Sequence, residues 1–244
     1  GSVKIRREAA CRRTWSRWAS LSQQLLGVGG GTTTGNKVTI LSCGSSAFVR
    51  MWEAIDQAKE SIHLETYILR LDTTGERTIQ RLNAALDRGV KVSLLYDSVG
   101  STLGRGGISA SQPIEGLKKR GAHIIEFNPL FNPPWNRTHW FVHRNHRKLL
   151  LIDARVAFCG GMNISDDYCG PELGGTGKFH DTHVQVEGPA ASHLGAVARD
   201  SLLEAFGGPG AALPPAAASL IRWIAPATPL SASSSSLPID AERA

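Results

Sequence analysis

Residues 145–163 read Asn145-His-Arg-Lys-Leu-Leu-Leu-Ile-Asp-Ala-Arg-Val-Ala-Phe-Cys-Gly-Gly-Met-Asn163. Two apolar runs, His146–Ile152 and Val156–Cys159, flank a tight connection at Asp153–Arg155, which predicts a β-hairpin. Within it the polar residues fall at fixed spacing: His146-x-Lys148-x4-Asp153-x6-Gly160-x2-Asn163. A bare His-x-Lys means little, but five residue types held at these intervals form a specific pattern. On an extended strand residues i and i+2 face the same way, so His146 and Lys148 project together. An imidazole beside an ammonium suits phosphoryl chemistry: the neutral ring can attack phosphorus, and the cation can hold a non-bridging oxygen. Asp153 has the opposite parity and sits at the turn, so it reads as mainly structural. Gly160 and Gly161 allow close backbone approach, and the Asn163 amide can reach the same oxygens. No Asp or Glu lies between Glu126 and Asp153, whereas Arg137, Arg144, Arg147 and Lys148 do, which predicts a locally positive pocket.

Outward from this hairpin the chain alternates. Strand-like segments are expected at Lys37–Ser42, Ser61–Leu71, Val90–Val99, Ala122–Phe127 and Thr182–Glu187. Helical periodicity runs through Ser45–Glu60, Gly75–Arg88, Pro113–Arg120 and Pro189–Phe206. Strands alternating with helices argue for an α/β fold: a mixed, mostly parallel sheet flanked by helices on both faces. At 244 residues, 41% hydrophobic and 20% charged, the chain is ordinary globular material. No run of 18 apolar residues spans a bilayer. The four cysteines, Cys11, Cys43, Cys159 and Cys169, are scattered and lack structural-zinc spacing.

The formal charge of +6 is unevenly placed. Residues 1–37 hold seven basic side chains and one acid, Glu8, which leaves 20 of each sign in the rest. The rest of the chain is therefore neutral, which weighs against a nucleic-acid-binding surface. Residues 1–36 read as a basic arm: Trp15, Trp18, Leu21 and Leu25 fall near helical spacing between Arg12, Arg13 and Arg17. Three readings stand for it: a targeting presequence, a short helix lying on an anionic membrane, or a disordered tail. Residues 207–244 are rich in Ala, Pro and Ser and read as a linker or tail, with Leu220–Ile224 as a patch able to dock locally.

The hairpin resembles the HKD motif of the phospholipase D superfamily. IHLETYIL at Ile62–Leu69, RGVKVSLLYDSVGS at Arg88–Ser101, GGMNISDDY at Gly160–Tyr168 and DTHVQVEGPAA at Asp181–Ala191 extend the likeness. Together they are similar to the N-terminal half of a bacterial-type cardiolipin synthase across roughly residues 37–206. The resemblance implies one phospholipase D-like half-domain with His146, Lys148, Asp153 and Asp181 as the catalytic set. His146 would be the nucleophile forming a phosphohistidine or its general-acid counterpart. Lys148 and Asn163 would bind phosphate beside Gly160 and Gly161. Asp181 would hydrogen-bond the far nitrogen of the histidine, fixing its tautomer. Glu65 matches an acid near the site, with a structural salt bridge as the competing reading. The resemblance implies no metal or cofactor, and it implies phospholipid substrates such as phosphatidylglycerol at a membrane surface, mitochondrial if the source is eukaryotic.

Family enzymes build one active site from two such motifs, and this chain has one. Either it is half of a longer protein or it pairs with a second copy. Two other functions stay open: a phospholipase D or a phosphodiesterase acting on nucleic acid by the same chemistry, and a truncated, non-catalytic half that binds a membrane or a partner. His180 and His183 flank Asp181 without an assigned role, and His139 and His143 read as solvated neighbours of the pocket. Trp135, Trp140 and Phe141 read as packing residues or as a lipid-touching lip.

Overall fold

A computed structural model describes residues 33–102, 111–130, 142–208 and 213–224. Seven strands form one sheet: β1 (Lys37–Leu41), β2 (Ser61–Thr66), β3 (Lys91–Asp97), β4 (His123–Phe127), β5 (Leu149–Ile152), β6 (Val156–Gly160) and β7 (His183–Glu187). Their spatial order is β1-β7-β6-β5-β2-β3-β4. The helices are α1 (Gly44–Gln57), α2 (Thr73–Asp87), α3 (Ser98–Thr102), α4 (Gln112–Lys119), α5 (Pro189–Ala205) and α6 (Pro215–Ile224). The basic arm lies outside the described residues except for 33–36, as do Arg137, His139, Trp135, Trp140 and Phe141.

The α/β class and the mixed sheet match the expectation, but the sheet is not mostly parallel. β2–β3 and β3–β4 are parallel; β1–β7, β7–β6, β6–β5 and β5–β2 are antiparallel. The cause is the connection. Helices α2 and α4 carry the chain back across the sheet, so each following strand runs parallel to the last. After β4 the described residues contain no returning helix. β5 therefore starts at the end where β4 stopped and runs against β2.

The central strands explain their own composition. Every residue of β2 is buried, as are six of seven in β3. A strand covered on both faces gains from an almost continuous apolar run. One core lies under α1, α2 and α4, with Phe48, Trp52, Ile55, Leu82 and Leu117 packed on Ile62, Leu64 and Leu94. The other lies under α5 and α6, where Ala198, Leu202, Leu220 and Ile224 meet Leu95, Leu149 and Leu151. Helix α6 falls inside the Ala/Pro/Ser-rich stretch, and the Leu220–Ile224 patch docks through its buried Leu220 and Ile224. Asp72 caps α2 by accepting the Gly75 N–H at 3.1 Å, and Gly89, at φ +82°, lets the chain turn away after it.

The β5–β6 hairpin turns through Asp153 and Ala154, both at φ +52°, with the Arg155 N–H donating to the Ile152 carbonyl at 3.0 Å. This is the two-residue turn whose backbone twist matches the strands. The Asp153 carboxylate accepts from the backbone N–H groups of Lys59, Glu60 and Ser61 at 3.0, 2.8 and 2.8 Å. It pins the start of β2 to the end of β5.

Candidate active site

His146 and Lys148 do not lie on a strand. They occupy an extended lead-in to β5, which begins at Leu149. The two-residue alternation still holds there, and both line one cavity of about 260 Å3 at the end of the sheet. Gly160, Gly161, Asn163 and Asp181 border the same cavity. Six of the eight residues singled out from the sequence therefore converge, although up to 35 positions separate them in the chain.

The two cavity-facing bases influence each other. The Lys148 Nζ donates to the His146 carbonyl at 2.8 Å and lies 5.3 Å from the centre of the Tyr67 ring. The His146 ring sits 4.6 Å from that same ring, tilted by 53°. Burial, then the neighbouring Lys148 charge, holds the His146 pKa below the ordinary imidazole value, and Asp97 partly opposes the shift. The ring is thus neutral at pH 7, the form with a free lone pair. Lys148 is pushed down to about 8 by burial, against the pull of Asp181 and Asp97. It remains mostly protonated at neutral pH.

Gly160 is required by proximity, since a Cβ there would lie 2.3 Å from the Thr182 carbonyl oxygen; one on Gly161 would meet the Asp181 carboxylate, which would have to turn aside. Asn163 is 2% exposed. Its Oδ1 accepts the Ile68 N–H at 3.0 Å and its Nδ2 donates to the Tyr168 hydroxyl at 2.8 Å. Among the described residues the second amide hydrogen meets no partner, leaving it available to a ligand.

Asp181 is placed differently from the expectation. Its carboxylate accepts the Thr182 N–H at 2.7 Å and makes no described hydrogen bond to His146. It acts on the site as a charge facing Lys148 and His183. Asp153 stands past the far end of β5, about 17 Å along the strand from Lys148 at 3.3–3.4 Å per residue. Glu65 does not border the cavity. It is 0% exposed, with its Oε1 accepting the Asn145 side-chain amide and its Oε2 3.6 Å from the His63 Nε2.

Of the four cations expected around the pocket, Arg137 lies outside the described residues and two others turn elsewhere. Arg144 turns to Asp97 at 3.3 Å and to the Asn128 carbonyl. Arg147 turns to Ser201 and Glu204. Among the described residues Lys148 alone of the named cations lines the cavity, with Asp181 on its border. His143 faces Glu204 at 3.4 Å. His183 is buried, accepts the Met162 N–H on Nδ1 and is pushed down to about 4 by that burial.

Sequence reasoning missed Tyr67, Tyr168 and Asp97. Tyr67 and Tyr168 sit inside stretches that carry the family likeness, so the signal was present but unassigned. Asp97 closes β3; besides Val99 and Gly100, its partners come from 47–48 positions further on. Among the described residues no cluster of His, Cys, Asp and Glu could hold a metal ion.

Fold and pocket define the class: an α/β domain with an imidazole and an ammonium in one cavity at the end of its sheet. The family model described as "Cardiolipin synthase, PLD-like domain" matches residues 51–173. Cardiolipin synthase 1 of Bacillus anthracis is 33% identical over 201 residues, covering 79% of this chain and 36% of that protein. A cardiolipin synthase of Clostridium perfringens is 35% identical over 162 residues, covering 66% and 32%. A phospholipase D family member of solved structure, Nuc from Salmonella typhimurium, is 22% identical with a TM-score of 0.48, covering 68% of this chain and 93% of that one. The chain belongs to the cardiolipin synthase family of phospholipase D-like domains. It spans about a third of the length of the curated relatives it matches.

Proposed function

We propose that the domain supplies one half of a phosphatidyltransferase site of cardiolipin synthase type. The observation that carries this is a burial-neutralised imidazole and a protonated amine sharing one small cavity, with two glycines and a carboxamide at its border. A phosphodiester seated there would place a non-bridging oxygen against the Lys148 ammonium, and a second could take the remaining Asn163 amide hydrogen. An imidazole nitrogen of His146 attacks phosphorus. The P–N bond forms as the bond to the departing alcohol, glycerol, breaks, and that alkoxide takes a proton from a general acid. The acid is the imidazolium of a second HKD half, in the same longer chain or in a second copy. A second phosphatidylglycerol then gives its hydroxyl proton to the now-neutral base and attacks phosphorus, releasing His146. Two easier displacements replace one difficult one.

Transfer rather than hydrolysis requires that water be kept from the phosphohistidine, and the tyrosines at the cavity border support this reading. Among the described residues no helix is long and apolar enough to cross a membrane. Contact with the lipid surface is assigned to the basic arm, whose excess cations suit anionic headgroups.

The direct test is trapping. Wild type and His146→Ala, each with a complementing second half, are incubated with phosphatidylglycerol radiolabelled in its phosphate and quenched in denaturant. Label stable to alkali and labile to acid should appear on the wild type only. Equal label on both proteins would place the nucleophile elsewhere.

A further inference from the structure

Behind the cavity, on the α5/α6 face of the sheet, lies a row of buried polar groups that the transfer chemistry does not use. Glu65 and Asp97 are both 0% exposed, two carboxylates within a largely apolar layer. Buried acids are retained at a large desolvation cost, so their partners indicate what they do. Both converge on Asn145, itself 4% exposed. The Glu65 Oε1 accepts from the Asn145 Nδ2. The Asp97 Oδ2 accepts the Asn145 main-chain N–H at 2.9 Å. The Asn145 Oδ1 in turn accepts the Arg147 N–H at 3.0 Å, bridging over the residue between. That residue is His146.

Each acid has support behind it. Among the described residues the Glu65 Oε2 and the His63 Nε2 have no hydrogen-bond partner, and they face each other at 3.6 Å. The His63 Nδ1 meets the Ser93 hydroxyl at 3.2 Å. At 3.6 Å the approach of His63 to Glu65 is a close contact and not a hydrogen bond. Asp97 also accepts the Val99 and Gly100 N–H groups at 2.9 and 3.2 Å, and Arg144 stands 3.3 Å away. Among the described residues the lead-in to β5 joins no strand ladder, and these side chains hold it in place of one.

We infer that Glu65 and Asp97 are positioning residues, which grip Asn145 by its side chain and its main chain and thereby fix where the His146 imidazole enters the cavity. This deepens the phosphatidyl-transfer reading and rests on it for its consequence in turnover. The grip itself is readable without turnover.

The test has two arms. In the native chain, hydrogen exchange at the Asn145 amide should be as slow as in central strand β3, although Asn145 lies in no helix or strand. Exchange at the rate of an exposed loop overturns the proposal without any variant. In the second arm, diethyl pyrocarbonate modification is mapped by mass spectrometry in Glu65→Leu and Glu65→Gln. Glutamine keeps an acceptor for the Asn145 amide and leucine does not. The leucine variant should raise the His146 modification rate roughly threefold to tenfold. The glutamine variant should stay near the native rate, and His193 on α5 should be unchanged in both. A native rate at His146 in the leucine variant, or equal rises in both variants, overturns the assignment. With a complementing half present, the leucine variant should also lose kcat on the order of a hundredfold, with KM unchanged. Normal modification behaviour with no turnover in any protein would instead count against the transfer reading alone.

Discussion

At the scale of the residue the cavity sets a narrow protonation window. In the proposed transfer, attack needs neutral His146, whose pKa burial and Lys148 have lowered. Oxygen binding needs charged Lys148, whose pKa burial has brought down to about 8. Activity of the completed site should therefore rise through a value below that of ordinary histidine and fall through about pH 8. An arginine at the lysine position stays charged, so Lys148→Arg should lower kcat and also carry the alkaline limb upward. A pH–rate profile of both proteins measures this. An unmoved alkaline limb would assign it to another group. His183 predicts a stability change instead. Its folded pKa of about 4 lies below the unfolded value near 6.5. The unfolded chain thus binds more protons between those limits, and stability falls as pH drops from 6.5 to 4, by up to about 3 kcal/mol. Denaturant midpoints at pH 7 and pH 4.5 should differ strongly in the native chain and much less in His183→Gln.

At the scale of the element, the β5–β6 turn carries the clearest prediction. Asp153→Ala removes the acceptor of three backbone N–H groups at the start of β2. It should cost about 2 kcal/mol of stability, visible as a lower urea midpoint. His146 in the folded variant should keep its native modification rate, because the turn is remote from the cavity. Ala154 adopts a left-handed conformation that L side chains resist. Ala154→Gly should therefore raise stability by about 0.5–1 kcal/mol, read as a higher urea midpoint. These elements were readable from local pattern: the hairpin from its two apolar runs, α2 from its period ending at Gly89, α5 from Pro189. The joint facing of His146 and Lys148 was readable for the same reason, since parity survives where regular strand does not. What could not be read depends on partners distant in sequence. Nothing local to Leu149–Ile152 says that it pairs antiparallel with β2. Nothing local to Arg144 says that it turns away from the pocket to Asp97. The grip on Asn145 joins β2, β3 and the lead-in to β5, so it exists only once the sheet has formed.

At the scale of the whole molecule, charge is segregated. Seven basic residues and one acid occupy positions 1–37, and the remainder carries 20 of each sign. A domain without net charge gains little from an anionic bilayer. Each arginine or lysine near such a surface contributes about 1 kcal/mol, and that contribution fades within a Debye length of about 8–10 Å. Binding to vesicles of phosphatidylglycerol should therefore reside in the arm and be salt-sensitive. The full chain should co-sediment with such vesicles at low ionic strength and be released by about 0.5 M salt. A chain starting at residue 38 should fail to sediment yet keep the slow Asn145 exchange that marks the intact domain. Equal sedimentation of both chains would move membrane contact onto the domain itself. The cavity, rather than the arm, would then have to account for how the domain meets the proposed lipid substrate.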